Sequence, residues 1–304
     1  MPSVLAMSTT PRNLTRSDTT SLCVDTQDYL VICERAFPNP KYGWSWCAVD
    51  DESLVMSDKR LDFRYLQDNF HLYQAPIEPT RVLDLKAASG YWADKVALVN
   101  GSATVLGIDI APVQYATEPN CYFEFHNVNW EWARAPGSFD LIRGSKLLGN
   151  VKDWPSLFRS AYKCLMPGGF LELYDPLFSY LSASDDGELS WKSVSRQACE
   201  LGKKTSCSFA IAPGMYTRHM VRAGFVDIQE KWESADVTKY ELHDVESMLR
   251  LLWYLEGVDD QEIWARLGDW RSRLTSEADS VRVRQVAVLG RKPFDGEITL
   301  ASEG

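Results

Sequence analysis

The stretch RVLDLKAASGYWADKVA, residues 81–97, decides how this chain of 304 residues is read. Residues 81–85 are a short apolar run. Short apolar runs bounded by turn residues read as strands buried on both faces. Small residues follow at Ala87, Ala88, Ser89 and Gly90, and a helical pattern runs from Tyr91 to Leu98. The unit is therefore strand, tight turn, helix.

Outward from it, the same alternation continues. Residues 104–109 form a second apolar run ending in Asp109, 121–125 a third and 139–143 a fourth. A helical pattern spans 154–164, and the turn Pro167-Gly168-Gly169 feeds a fifth strand at 170–174. Residues 223–228 and 284–290 read as the sixth and seventh. Continuous apolar strands alternating with helices predict a doubly wound, seven-stranded, mostly parallel α/β sheet covered on both faces. Between the last two strands, Val245, Met248, Leu249 and Leu252 share one helical face, as do Ile263, Leu267, Trp270 and Leu274. Asp259 and Glu262 resemble a capping box for the second of these helices. The pair is expected to be a helical cap, residues 233–283, beside the carboxyl ends of the strands.

Before the sheet, residues 1–22 are rich in Ser, Thr and Arg and read as a disordered tail. Residues 23–79 are an aromatic segment packing on the domain, with a helix expected over 57–73 capped by Ser57. The domain proper is expected at 80–293, followed by a flexible tail at 294–304.

Composition excludes several classes. Hydrophobic residues make up 45% and charged residues 24%, ordinary values for a globular core. A net charge of −10 repels phosphate backbones, so nucleic-acid binding is not expected. Seven cysteines form no C-x-x-C pair and lie beside no His at ligand spacing, so they read as free thiols in a reducing compartment, with no metal. The first twenty residues hold no apolar core of a signal peptide, and no run approaches a membrane span. The expectation is a cytoplasmic protein compatible with nuclear entry, with a small-molecule substrate, no membrane, and room for protein partners.

The order of motifs resembles class I S-adenosylmethionine (SAM) methyltransferases, and more closely the fungal secondary-metabolism methyltransferases of the LaeA/UMTA type. RVLDLKAASGYWA is similar to their V-L-D-L-G-T-G-T-G-I-W-A, GIDIAPVQ to G-x-D-L-S-P-x-Q, and LMPGGFLELYD to L-K-P-G-G-W-L-E-L-Q-D. FEFHNVNWEW, SFDLIRGSKLLGNVKDW, AGFVDIQEK and VLGRKP follow suit over residues 40–293. The resemblance implies a Rossmann-like fold that binds SAM. Asp84, Lys86, Ala88 and Gly90 then form the loop under its amino-acid end, Asp109 binds the ribose, Ile110 lies against adenine and Asn127 accepts a bond from the adenine amino group. The family's first two glycines are Lys86 and Ala88 here, and only Gly90 survives. Lys86 either stands where the methionine tail lies or pairs with its carboxylate.

Each position also has a plainer reading. Asp84 suits a strand-end turn and Asp109 a cap of the turn after it. His126, at a strand's carboxyl end, is the candidate general base, while His71, His219 and His243 lack a supporting motif and read as surface or structural. Arg143, with Lys146, is placed to orient an anionic or enolic substrate, or belongs to a solvated loop. Trp44, Trp46 and Trp92 are stacking platforms or core. Three functions follow: a SAM-dependent methyltransferase acting on a small-molecule intermediate of fungal secondary metabolism; a methyltransferase-like enzyme without methyl transfer, such as a cyclase, isomerase or pathway chaperone; and a LaeA-like regulator.

Overall fold

The computed structural model describes residues 29–67, 73–114, 116–182, 191–236, 239–274 and 282–297. The expected N-terminal tail and His71 lie outside them. Among the described residues, nine strands and seven α-helices run in the order β1 (Tyr29–Ile32), β2 (Arg35–Pro38), α1 (Asp51–Gln67), β3 (Arg81–Leu85), α2 (Tyr91–Val99), β4 (Thr104–Asp109), β5 (Cys121–Phe125), β6 (Phe139–Ser145), α3 (Trp154–Cys164), β7 (Leu165–Ser182), α4 (Trp191–Thr205), α5 (Met215–Ala223), β8 (Val226–Asp236), α6 (Lys239–Leu255), α7 (Asp260–Leu274) and β9 (Arg282–Arg291).

Seven strands form one sheet in the order β5-β4-β3-β6-β7-β9-β8. β3 to β7 pair in parallel, and β9 runs antiparallel to both β7 and β8. This is the expected seven-stranded, mostly parallel architecture. The chain starts in the middle of the sheet at β3, winds out to β5, then returns to β6, so the order reverses between β3 and β6. Open α/β sheets bind ligands at the carboxyl ends of strands flanking such a reversal.

Strand alternation assigns the two faces. Leu83, Leu85, Ile142, Leu171 and Leu173 pack under α3 and α5 with Phe158, Tyr216 and Met220. Val82, Leu141 and Val105 face the other way, onto Trp92 and Val96 of α2. A third cluster joins the β1–β2 hairpin, α4, α6 and α7, through Phe37, Trp46, Val194, Met248 and Leu267. On the apolar faces read from the sequence of α6 and α7, Val245, Met248, Leu249, Leu252, Ile263, Leu267 and Trp270 are buried, and the Glu262 amide donates to the Asp259 carboxylate at 2.9 Å.

Two local expectations are corrected. α1 begins at Asp51, not at Ser57. Asp50 caps it, its carboxylate accepting the Ser53 amide at 3.0 Å while also pairing with Arg35. Ser57 lies inside the helix. The sixth strand starts later than expected, because Ala223 ends α5 and Gly224 caps it in a left-handed conformation that favours glycine. The β1–β2 hairpin had no turn signal to announce it: Cys33 and Glu34 occupy positive φ in its turn.

Candidate active site

At the carboxyl ends of β3 and β6 a cleft opens to solvent. Its floor is the Lys86–Ser89 loop and its walls are α1, α6 and the segment at Cys47. Its position, at the strand ends flanking the reversal, is where open α/β sheets bind ligands.

The loop keeps the backbone of a glycine-rich turn without its glycines. Lys86 has φ 61°, Ala88 φ 52° and Gly90 φ 87°. Left-handed backbone at a residue bearing a Cβ costs about 1–2 kcal/mol, and such strain persists where the surroundings over-determine it. Gly90 alone could not be replaced, because an added Cβ would enter the Phe123 ring. Two contacts hold the loop: the Ser89 hydroxyl donates to Asp58 of α1 at 2.5 Å, and the Ala88 amide donates to Asp109 at 2.9 Å.

Asp84 and Arg143 are register partners on β3 and β6, so their side chains share a face. Arg143 Nη1 donates to Asp84 Oδ1 at 3.2 Å and its guanidinium lies over the Trp92 ring at 4.5 Å. Asp84 is fully buried; burial pushes its carboxyl up to about 6, against the pull of Arg143. Trp92 is therefore core that also shelves the guanidinium, and Trp46 is core anchored to the Leu148 carbonyl.

Asp109, at the end of β4, is buried. Its carboxylate accepts amides of Ala88 and Ala111 at 2.9 and 3.1 Å, and that of Ile110. Burial raises its carboxyl, and the Lys86 charge and these amides oppose the rise. A carboxylate offers about four lone-pair sites, so roughly one remains for a ligand. Tyr29 of the hairpin lies in the field of Asp109; burial, then that charge, raises its phenol. Ile110 is half-buried in the turn that follows.

Two of the expected site residues are engaged elsewhere. Asn127 Oδ1 accepts the amide and the side-chain N–H of Asn129, at 2.8 and 2.9 Å, and its Nδ2 donates to the Tyr42 carbonyl at 2.6 Å. Both lone pairs of the oxygen are engaged by Asn129, and the side chain fastens the N-terminal segment to the sheet. His126 does not line the cleft: its ring packs edge-on against Trp130, and burial lowers its pKa.

The cleft instead gathers residues that carried no motif. His243 of α6 lines it, with Nε2 3.0 Å from the Ser53 hydroxyl; burial, then the Arg35 charge, lowers its pKa, so the ring is neutral at pH 7. Beside it, Asp244 accepts from Arg60 and Lys146, each at 2.9 Å, and Glu241 pairs with Arg60 at 3.1 Å. One signal was available: Asp244 falls on the same stripe as Met248 and Leu252, and a charge on an apolar face needs a buried partner. Nothing local in the sequence identified that partner as Arg60, 184 residues away.

A parallel sheet reversed at its centre, carrying a left-handed loop after its first strand and an acid after its second, is the Rossmann-like fold of the class I, SAM-dependent methyltransferases. A family model described as a methyltransferase domain matches residues 59–229, more than half of the chain, and the chain belongs to that family. It is similar to the secondary metabolism regulator laeA of Aspergillus fumigatus, 31% identical over 186 residues that cover 57% of this chain and 47% of the relative. It is also similar to the methyltransferase cpsF of Aspergillus campestris, 30% identical over 197 residues that cover 59% of this chain and 68% of the relative. The chain spans about half the length of the first curated relatives it matches. A solved structure of Haemonchus contortus phosphoethanolamine N-methyltransferase 2, in complex with phosphomonomethylethanolamine and S-adenosylhomocysteine, shares the fold: TM-score 0.50, 16% identity, covering 80% of this chain and 58% of that one.

The residues present fit SAM at one end more openly than at the other. The Lys86–Ser89 floor is open to the cleft. The nucleoside end has Asp109 in place with part of its capacity spare, and Tyr29, Tyr42 and the committed Asn127 amide close around it. Among the described residues no helix is long and apolar enough to cross a membrane, and no group of three or more His, Cys, Asp or Glu is arranged to hold a metal.

Proposed function

We propose that the chain is a methyltransferase that binds SAM with its amino-acid end over Lys86–Ser89 and its ribose at Asp109, and methylates a small-molecule intermediate of fungal secondary metabolism in the cleft between α1 and α6. The left-handed backbone at Lys86 and Ala88 carries this reading. Two strained residues are kept where the class places its cofactor loop, and a loop with no ligand to receive has no reason to keep them.

When bound, SAM supplies an already activated methyl group, so the chain's part is positioning and desolvation. Neutral His243 can take the proton of a hydroxyl or amine acceptor in the cleft, with Ser53 fixing its ring. Asp109 holds the loop from below. α1 and α6 enclose the acceptor, and Arg143 is kept in place by Asp84 and Trp92.

Titration of the full chain with S-adenosylhomocysteine by calorimetry tests the cofactor half. Micromolar binding that is lost in Asp109→Ala is expected. No heat and no thermal shift up to about 1 mM, a binding free energy weaker than about −4 kcal/mol, would remove methyl transfer from consideration.

A further inference from the structure

The hydrogen-bonding capacity left over in the cleft is one-sided. Four cations line it, Arg60, Lys86, Arg143 and Lys146, against one lining carboxylate, Asp244, in a chain whose net charge is −10. Arg143 is matched by Asp84, and both Asp244 oxygens are used, one by Arg60 and one by Lys146. Glu241 takes a further bond from Arg60. What remains are donors. Arg60 Nη2 is buried with no partner among the described residues, although the residue is only 6% exposed. Lys146 has spent one of three ammonium protons, and Lys86 reaches over the cleft toward Trp46 and Cys47. Burial lowers the Lys86 pKa, but Cys47, Asp109 and Asp244 outweigh it, so the ammonium stays charged. An unpaired buried guanidinium N–H carries an uncompensated desolvation cost, which is recovered when an acceptor arrives.

From this arrangement we infer that the cleft is built for an organic anion: a small molecule whose carboxylate or acidic enolate receives the spare donors of Arg60, Lys86 and Lys146. The same cleft is lined by Leu54, Leu61, Ala48 and Trp92, so the body of that molecule is apolar. A carboxylate supplies about four lone pairs, enough for the Arg60 Nη2 protons and one ammonium proton from each lysine. Neutral His243 on the same wall then faces the acceptor group without competing for the anion. This rests on the cleft being the substrate site of the proposed methyltransferase. The carboxylate has a second source, the amino-acid end of the cofactor, and the test separates the two.

The probes are 2-naphthoate and 2-naphthamide, alike in shape and different in charge, titrated into the full chain with and without saturating S-adenosylhomocysteine. Naphthoate should bind at least about tenfold more tightly than the amide, the gain of one charge-assisted hydrogen bond. That preference should fall several-fold in Lys86→Met and in Arg60→Gln, and persist when S-adenosylhomocysteine is bound. Lys86→Met keeps the measurement decisive if Arg60→Gln fails to fold. Equal binding of the two probes, no saturable naphthoate binding, or a preference unchanged in Lys86→Met overturns the inference. So does displacement of naphthoate by S-adenosylhomocysteine, which assigns the donors to the cofactor's carboxylate. A chain that shows the preference yet does not bind S-adenosylhomocysteine keeps its anion site and loses the methyl-transfer reading.

Discussion

Asp109 Oδ2 accepts the amide of Ala88 at 2.9 Å, so the acid that ends β4 is a buttress of the loop that follows β3. Gln114 reinforces the joint by donating to the Ala88 and Ala111 carbonyls at 2.6 and 2.7 Å. The carboxylate therefore couples the shape of the loop to any ligand held at the end of β4. Asp109→Asn keeps the volume but turns an NH2 group toward amide donors. It is expected to lower stability by about 1–3 kcal/mol and to weaken S-adenosylhomocysteine binding in parallel. Urea denaturation and calorimetry on one preparation check both. Normal stability with lost binding would show that Asp109 touches the ligand and does not support the loop.

Ala88 tests whether the loop conformation is imposed. Replacing it with Gly removes about 1–2 kcal/mol of left-handed strain and adds about 0.4–1 kcal/mol of unfolded-state entropy. The two nearly cancel, so Ala88→Gly should be neutral to stabilising by about 1 kcal/mol. Ala88→Val, branched at Cβ and forced to φ 52°, should destabilise by more than the alanine strain itself. Thermal melts of the pair decide; equal stability for Gly and Val would mean the loop relaxes to another conformation.

The sheet was legible because its strands are short apolar runs alternating with helical patterns, and each such run between residues 81 and 290 became a strand. Lys86, Ala88 and Gly90 were legible as a loop for the same reason. His243, Asp244 and Arg60 were not, because pairing across 184 residues leaves no local period. The bonds of Asn127 to Tyr42 and Asn129 were not legible either, because the approach of Tyr42 depends on a segment whose path no pattern reported. The hairpin was hidden because its turn uses Cys33 and Glu34 where glycine or asparagine is usual.

Asp84 makes stability depend on pH in a direction opposite to most acids. Its folded pKa, about 6, lies above its unfolded value near 3.9. The folded state therefore binds the extra proton between those values. The group's contribution is full below pH 3.9 and is lost as pH rises through 6. Asp84→Asn mimics the protonated form, so its stability relative to the parent should improve between pH 4 and pH 7, by up to about 3 kcal/mol. Asp175, also pushed up to about 6 by burial, is untouched by this change and provides the matched background. A pH-independent difference between the two proteins would sink the argument.

His243 gives the complementary prediction on the catalytic side. Burial and the nearby Arg35 hold its pKa below 6.5, and Asp244, Glu52 and Glu246 only partly oppose them. Between the folded pKa and 6.5 the unfolded chain binds more protons, so stability should rise with pH across that window and level off above it. A base must be neutral to accept a proton, so methyl transfer should be flat through pH 7 and decline only below pH 6.5. His243→Gln keeps a hydrogen bond available to Ser53 but cannot take the proton, and should slow transfer by about 10²–10⁴-fold while leaving S-adenosylhomocysteine affinity within about threefold. Proton NMR of the imidazole locates the pKa directly. A His243 resonance titrating at or above 6.5, or a His243→Gln rate equal to that of the parent, would return the residue to a packing role beside Ser53.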